Sequence, residues 1–245
     1  MNDLIKNIFG QVKVISIAGN HERRKKIEFF LHNYSFEFVI DLDFTTMFKE
    51  YEMVSDLPQS LFDKYDLDKE YCSRWSKGQM GCFATEKGIL LKHASFGSVE
   101  NLTIILDDAI FQKKWEENLI KAYSSLPANW DALILGTRLG KETNRIFRPL
   151  IKMKRRIFDN ISSNTCAYNK YLDVPITPVN GVFGIIYSHR GISKMFNEPF
   201  RLRQEQDDVL LSRLIKSKYL NVYLSYPQTV CEGKYGESLT QKNKF

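Results

Sequence analysis

Asp107 and Asp108 stand side by side near the end of the run 101–109 (NLTIILDDA), directly after the apolar and β-branched residues Leu102, Thr103, Ile104, Ile105 and Leu106. In an open α/β sheet, ligands bind beyond the carboxyl ends of the strands. One or two carboxylates placed there can hold a hard divalent cation, and such a cation commonly carries substrate phosphates as well. The chemistry this points to is metal-assisted work on a phosphorylated or nucleotide substrate. The competing reading is a strand that runs into a turn, where Asp is favoured for its local hydrogen bonds.

Three further groups have the right types and places. Arg23 and Arg24 lie just past the first apolar run, and Arg suits phosphate oxygens; a solvated first helical turn is the alternative. Asp207 and Asp208 open a late helical pattern (QEQDDVLLSRLIKSK), with Glu205 just upstream. A carboxylate there could take a proton from an attacking hydroxyl, or it could simply satisfy helix-start amides. Gly78 and Gly81 would let backbone come close to a ligand. His21, His32, His93 and His189 show no ligand spacing and receive no role.

The elements that must position these residues follow from periodicity. The run 12–18 (VKVISIA) reads as a buried strand ending at Gly19 and Asn20, 21–34 as a helix, and 36–40 (FEFVI) as a second strand ending in Asp41 and Asp43. This β-α-β opening suggests a parallel sheet. Residues 44–75 carry charges and Pro58 but little periodicity, as a variable insertion or lid would. Ser76 and Gln79 have capping-box spacing ahead of a helix whose apolar face holds Met80, Phe83, Ala84, Leu90, Leu91 and Ala94. After the acid-tipped strand, Phe111, Trp115, Leu119 and Tyr123 recur at helical intervals. Strands are expected over 130–136, 181–188 and 221–226, and helices over 189–197 and 204–218.

Composition bounds the class. The chain has 245 residues, 43% hydrophobic and 26% charged, an ordinary globular mix. The length suits one large domain or two small ones. The net charge of +6 is a mild excess that fits an anionic substrate or an acidic membrane surface. The basic stretch 138–156 could meet an anionic acceptor or lipid headgroups as a peripheral membrane contact, or be a solvated loop. Cys72, Cys82, Cys166 and Cys231 form no Cys-x-x-Cys pair and are expected to be reduced and mostly buried. The N-terminus lacks the pattern of a signal peptide and no stretch has the length of a membrane span, so a cytoplasmic location is expected.

Four blocks, in this order, resemble glycosyltransferase family 25, which includes lipooligosaccharide and collagen galactosyltransferases. They are VKVISIAGNHERRKKI, KGQMGCFATEKGIL, TIILDDAIF, and FGIIYSHRGISKMF followed by QDDVLLSRL. The resemblance implies a GT-A fold: an α/β, Rossmann-like, mostly parallel sheet with flanking helices, forming one domain, 1–245, with a donor-binding half, 1–110, and an acceptor-binding half, 111–245. It implies a nucleotide-sugar donor, usually a UDP-sugar, and an inverting transfer of a hexose, galactose or glucose, to a glycan acceptor such as lipooligosaccharide. It also implies Mn2+ (or Mg2+) held by an acid-x-acid motif, with Asp108 as its final acid and Asp107 as its middle one. By the same resemblance Asn20, Arg23, Asp107, Gly78 and Gly81 would contact the donor and Asp41 or Asp43 its ribose or uracil. Asp208, or Asp207 beside it, would be the catalytic base.

Three positions depart from the family. Leu106 stands where its first acid should be, Thr85-Glu86 replaces a Ser-His pair, and Gln79 replaces a Glu. They motivate a second reading, a degenerate GT-A domain that binds or scaffolds without catalysis. A third reading, a nucleic-acid binder built on 138–156, lacks the aromatic-basic motif it would need, and no nucleic-acid partner is expected.

Overall fold

The apolar runs are buried on both sides, and this sets the architecture. Along 102–106, Leu102 and Ile104 enter one core while Ile105 enters another; along 132–135, Ala132 and Ile134 divide from Leu133 and Leu135 in the same way. Side chains alternate across a strand, so a run that is apolar at every position must be covered by helices on both faces. The computed structural model, which describes residues 2–40, 50–51, 53–64, 68–73, 75–137, 165–175, 179, 181–197 and 207–233, has this three-layer α/β form.

The strands are β1 (Gln11–Ser16), β2 (Glu37–Ile40), β3 (Leu102–Leu106), β4 (Ala109–Phe111), β5 (Ala132–Thr137), β6 (Thr165–Ala167), β7 (Leu172–Pro175), β8 (Val182–Tyr187), β9 (Val222–Ser225) and β10 (Val230–Glu232). The main sheet has eight strands in the order β2-β1-β3-β8-β5-β9-β7-β6, and β4 pairs with β10 in a separate ribbon. β2, β1 and β3 are mutually parallel, as are β5 and β9. The sheet is nevertheless mixed: β8 lies antiparallel between β3 and β5 at its centre, and β7 and β6 add antiparallel pairs at one side.

The helices are α1 (Asn2–Phe9), α2 (His21–Leu31), α3 (Gln59–Lys64), α4 (Lys69–Cys72), α5 (Lys77–Ser95), α6 (Trp115–Tyr123), α7 (His189–Asn197) and α8 (Asp207–Lys216). Buried residues of α1, α2 and α6 join one core and those of α5, α7 and α8 the other. α1 was not expected from the sequence. Ile5, Ile8 and Phe9 turn inward, and Phe9 stacks on Trp115 with ring centroids 5.9 Å apart. Gly10 ends the helix with φ +60, and a Cβ there would lie 2.0 Å from the Asn101 carbonyl oxygen, so only glycine fits.

Two other expectations change. Phe111 belongs to β4 rather than to the helix behind it, because Lys114 takes a left-handed φ of 61 and helix α6 starts only at Trp115. The stretch expected as an insertion or lid contributes Val54, Leu57, Leu61, Phe62, Cys72 and Trp75 to the core around α5, and so is packed where it is described. Burial pushes the Cys72 thiol up to about 12. Cys82 and Cys231 are half-buried, and Gln112 Nε2 donates to the Cys231 sulfur (2.7 Å).

At the rim where β5 and β9 begin, fully buried Asp131 ties three elements together. Its Oδ1 accepts from Arg190 Nε (2.7 Å), and its Oδ2 accepts from Lys194 Nζ (2.8 Å) and the Asn221 amide (2.8 Å). This cluster docks α7 against the strands and leaves the opposite rim to the candidate site. Among the described residues, no helix is long and apolar enough to cross a membrane.

Candidate functional site

Four segments face the side of the sheet on which β1 and β3 end. The ring of His93, in the last turn of α5, contacts Gln11 Oε1 (3.3 Å) and the Glu100 carbonyl (3.2 Å) at the start of β1 and β3. The first turn of α5 therefore points to the opposite rim, where those strands end. α8 leads into β9, which runs in the same direction as β1 and β3, so its start at Asp207 and Asp208 faces that rim too.

Asp107 is the hub of the rim, and only 6% of it is exposed. Its amide donates to the Ile15 carbonyl (3.0 Å). Its Oδ2 accepts from Ser16 Oγ (2.7 Å) and Asn20 Nδ2 (2.9 Å), and its Oδ1 from Arg23 Nη1 (3.3 Å). Asn20 sits at the N-cap of α2 but makes no side-chain cap, because its amide is turned to Asp107 instead. Arg24 closes the same loop from the other side: its guanidinium donates to the carbonyls of Ile17 (2.6 Å) and Ala18 (2.8 Å) and contacts His21 Nδ1 (2.8 Å). The loop 17–20 is thus fixed by one buried carboxylate and one arginine, with Arg23 held at the acid and Arg24 on the backbone.

Asp108 is the next residue in the turn. Its carbonyl accepts the Gly233 amide (2.7 Å), and its Oδ1 is shut off from solvent. The strand that brings Gly233 here, β10, crosses the end of β5. Gly136 makes that crossing possible, since a Cβ on it would lie 2.0 Å from the Val230 carbonyl oxygen.

The residues that depart from the family pattern have structural work. Gln79 completes the cap of α5: its amide nitrogen donates to Ser76 Oγ (3.2 Å), and the Ser76 amide donates to Gln79 Oε1 (2.8 Å). Glu86 is buried and accepts from the Tyr187 hydroxyl (3.3 Å). Leu106 packs against the α5 core. Gly78 and Gly81 lie in the first turn of α5, at this rim.

Asp107 and Asp108, expected to share a cation, are engaged in different ways. Both Asp107 oxygens already accept hydrogen bonds, one of them from a cationic side chain, and Leu106 supplies no ligand atom. Among the described residues, no group of three His, Cys, Asp or Glu side chains could hold a metal ion. Asp107 is an anchor for Asn20 and Arg23, and the described donor set does not fit a manganese site. Asp207 and Asp208 are placed by their helix alone. Asp41, Asp43, Glu205 and the basic stretch 138–156 lie outside the described residues.

Sequence reasoning missed Ser16. A hydroxyl at the end of an otherwise apolar strand was its only signal; its partner lies 91 residues away. Compared with known proteins, the chain matches no protein-family model and no curated protein.

Proposed function

We propose that the chain is an inverting glycosyltransferase of the GT-A type, similar to family 25, that moves a hexose from a UDP-sugar to a hydroxyl of a glycan acceptor such as lipooligosaccharide. One observation carries this reading. The Asp107-Asp108 turn, the β1–α2 loop with Asn20 and Arg23, the glycine-containing first turn of α5 and the acidic start of α8 converge on one rim of an α/β sheet.

In this reading, the half 1–110 holds the donor, with its diphosphate near Arg23 and the backbone at Gly78 and Gly81. Asp208, or Asp207 beside it, takes the proton from the acceptor hydroxyl. The hydroxyl oxygen bonds to the anomeric carbon as the bond from that carbon to the phosphate oxygen breaks on the opposite face, and UDP leaves with the electron pair. Holding both reactants in line supplies much of the rate. The stretch 138–156 would face an anionic acceptor or a membrane surface.

The test is transfer or donor hydrolysis by the purified chain across a panel of UDP-sugars, together with calorimetric binding of UDP. Turnover with one sugar supports the proposal; the absence of both turnover and UDP binding refutes it. Leu106 and the engaged Asp107 favour a second reading, a domain of this fold that binds without catalysis. A Leu106→Glu variant separates the two: a large gain in turnover supports degeneration, whereas a loss says that the leucine belongs to a working site.

A further inference from the structure

We infer that this rim binds its nucleotide without a divalent cation, with Arg23 supplying the positive charge that a metal would bring to the diphosphate. The inference rests on the nucleotide-sugar reading and concerns how that donor is held. Three features carry it.

The first is the donor set. Leu106 occupies the place of an acid, and a hydrocarbon side chain coordinates nothing. The second is that the Asp107 carboxylate is already committed. Ser16 Oγ and Asn20 Nδ2 hold its Oδ2 at 2.7 and 2.9 Å, and Arg23 Nη1 faces its Oδ1 at 3.3 Å. A divalent cation sits roughly 2.0–2.6 Å from its oxygen ligands, so on this carboxylate it would compete with the guanidinium and incur the repulsion between two neighbouring positive charges. The third is the charge already in place. Arg23, against the acid, and Arg24, on the carbonyls of Ile17 and Ala18, put two cationic side chains on the loop beside the acidic turn.

Arg23 is also suited to the task. Its side chain is only 17% exposed, which reduces the solvent screening of its charge. Its planar fork matches phosphate oxygens in a way that a lysine ammonium does not. Asp107 is then a positioning residue that acts through Arg23 and Asn20.

The test is calorimetric titration of the full chain with UDP, once in EDTA and once with Mn2+ at equal ionic strength. The expected result is the same Kd within about twofold in both, since only ordinary electrostatic screening is shared. Arg23→Ala should weaken UDP binding roughly tenfold to hundredfold in EDTA, the loss of a charge-assisted contact, and Arg23→Lys should restore part of it. Thermal unfolding of each variant checks that it folds, and the wild-type comparison needs no variant. A UDP affinity that rises tenfold or more with Mn2+, or an Arg23→Ala chain that binds UDP as wild type does, overturns the inference while leaving the nucleotide reading in place. Absence of UDP binding by wild type in either buffer removes both.

Discussion

Replacing Asp131 by asparagine should lower folding stability by roughly 2–3 kcal/mol at neutral pH, and most of that loss should disappear in acid. Asp131 is fully buried and accepts three hydrogen bonds, two of them from Lys and Arg. Breaking a buried ion pair by removing one partner typically costs about 3–5 kcal/mol, because a charge is left without compensation. Here the cations can partly escape: the Arg190 and Lys194 side chains are 43% and 32% exposed and can turn to water. The asparagine oxygen also keeps one acceptor. Both effects reduce the loss to the lower figure. The pH dependence follows from the carboxyl group. Burial pushes its pKa up, but Arg190, the Asn221 amide and Lys194 together outweigh burial and hold it below the usual carboxylate value. A group depressed in the folded state stabilises above its unfolded pKa, about 3.9, and loses that contribution as pH falls through the folded value. The difference between wild type and variant should therefore be flat from pH 7 to about 5 and shrink below about 4. Urea unfolding followed by tryptophan fluorescence at pH 7, 5 and 3.5 measures it; Trp130 adjoins the site. A difference at pH 7 below about 0.5 kcal/mol, the range of ordinary surface changes, or one that persists unchanged at pH 3.5, would refute the reasoning.

Ser76→Ala should cost about 1 kcal/mol by removing the α5 cap. Gln79→Ala removes the other bond of the capping box, from the Ser76 backbone amide to Gln79 Oε1, and because the two bonds belong to one network a double-mutant cycle should show coupling. Burial holds the His93 imidazole below its usual value, with the Glu100 carbonyl pulling the other way. Only the unfolded chain then takes up this proton just below about pH 6.5, so stability should fall as the medium is acidified, and His93→Gln should flatten that part of the urea-unfolding profile.

The central strands were legible because a sheet buried on both faces writes itself as unbroken apolar runs. Expected strands over 130–136, 181–188 and 221–226 correspond to Ala132–Thr137, Val182–Tyr187 and Val222–Ser225. Direction was not legible, since a period of two is the same whichever way the strand runs, and β8 proved antiparallel. Phe111 and Trp115 are four residues apart, a spacing that fits a helix; the reversal at Lys114 that separates them leaves no periodic trace. β4 and β10 have three residues each and find one another across most of the C-terminal half of the chain. At the site, the acidic pair was visible as a motif but its division of labour was not. Asp107's partners Ser16, Asn20 and Arg23 lie 84–91 residues upstream, and only the fold brings them to it. Gln79 and Glu86 looked like losses of function; the cap of α5 and the hydroxyl of Tyr187 give each a local reason to be there.

The antiparallel strand at the centre of the sheet bears on how the protein is made. As the polypeptide leaves the ribosome, β2, β1 and β3 can pair early, but the free flank of β3 must wait for β8, about 75 residues later, which at ordinary synthesis rates is roughly 4–15 s. During that interval the nascent chain carries a bare β edge backed by Leu102, Ile104 and Ile105, the kind of surface that recruits chaperones or seeds aggregation. Expression yield should therefore be governed less by the stability of the finished fold than by how that edge is shielded until the last quarter of the chain arrives.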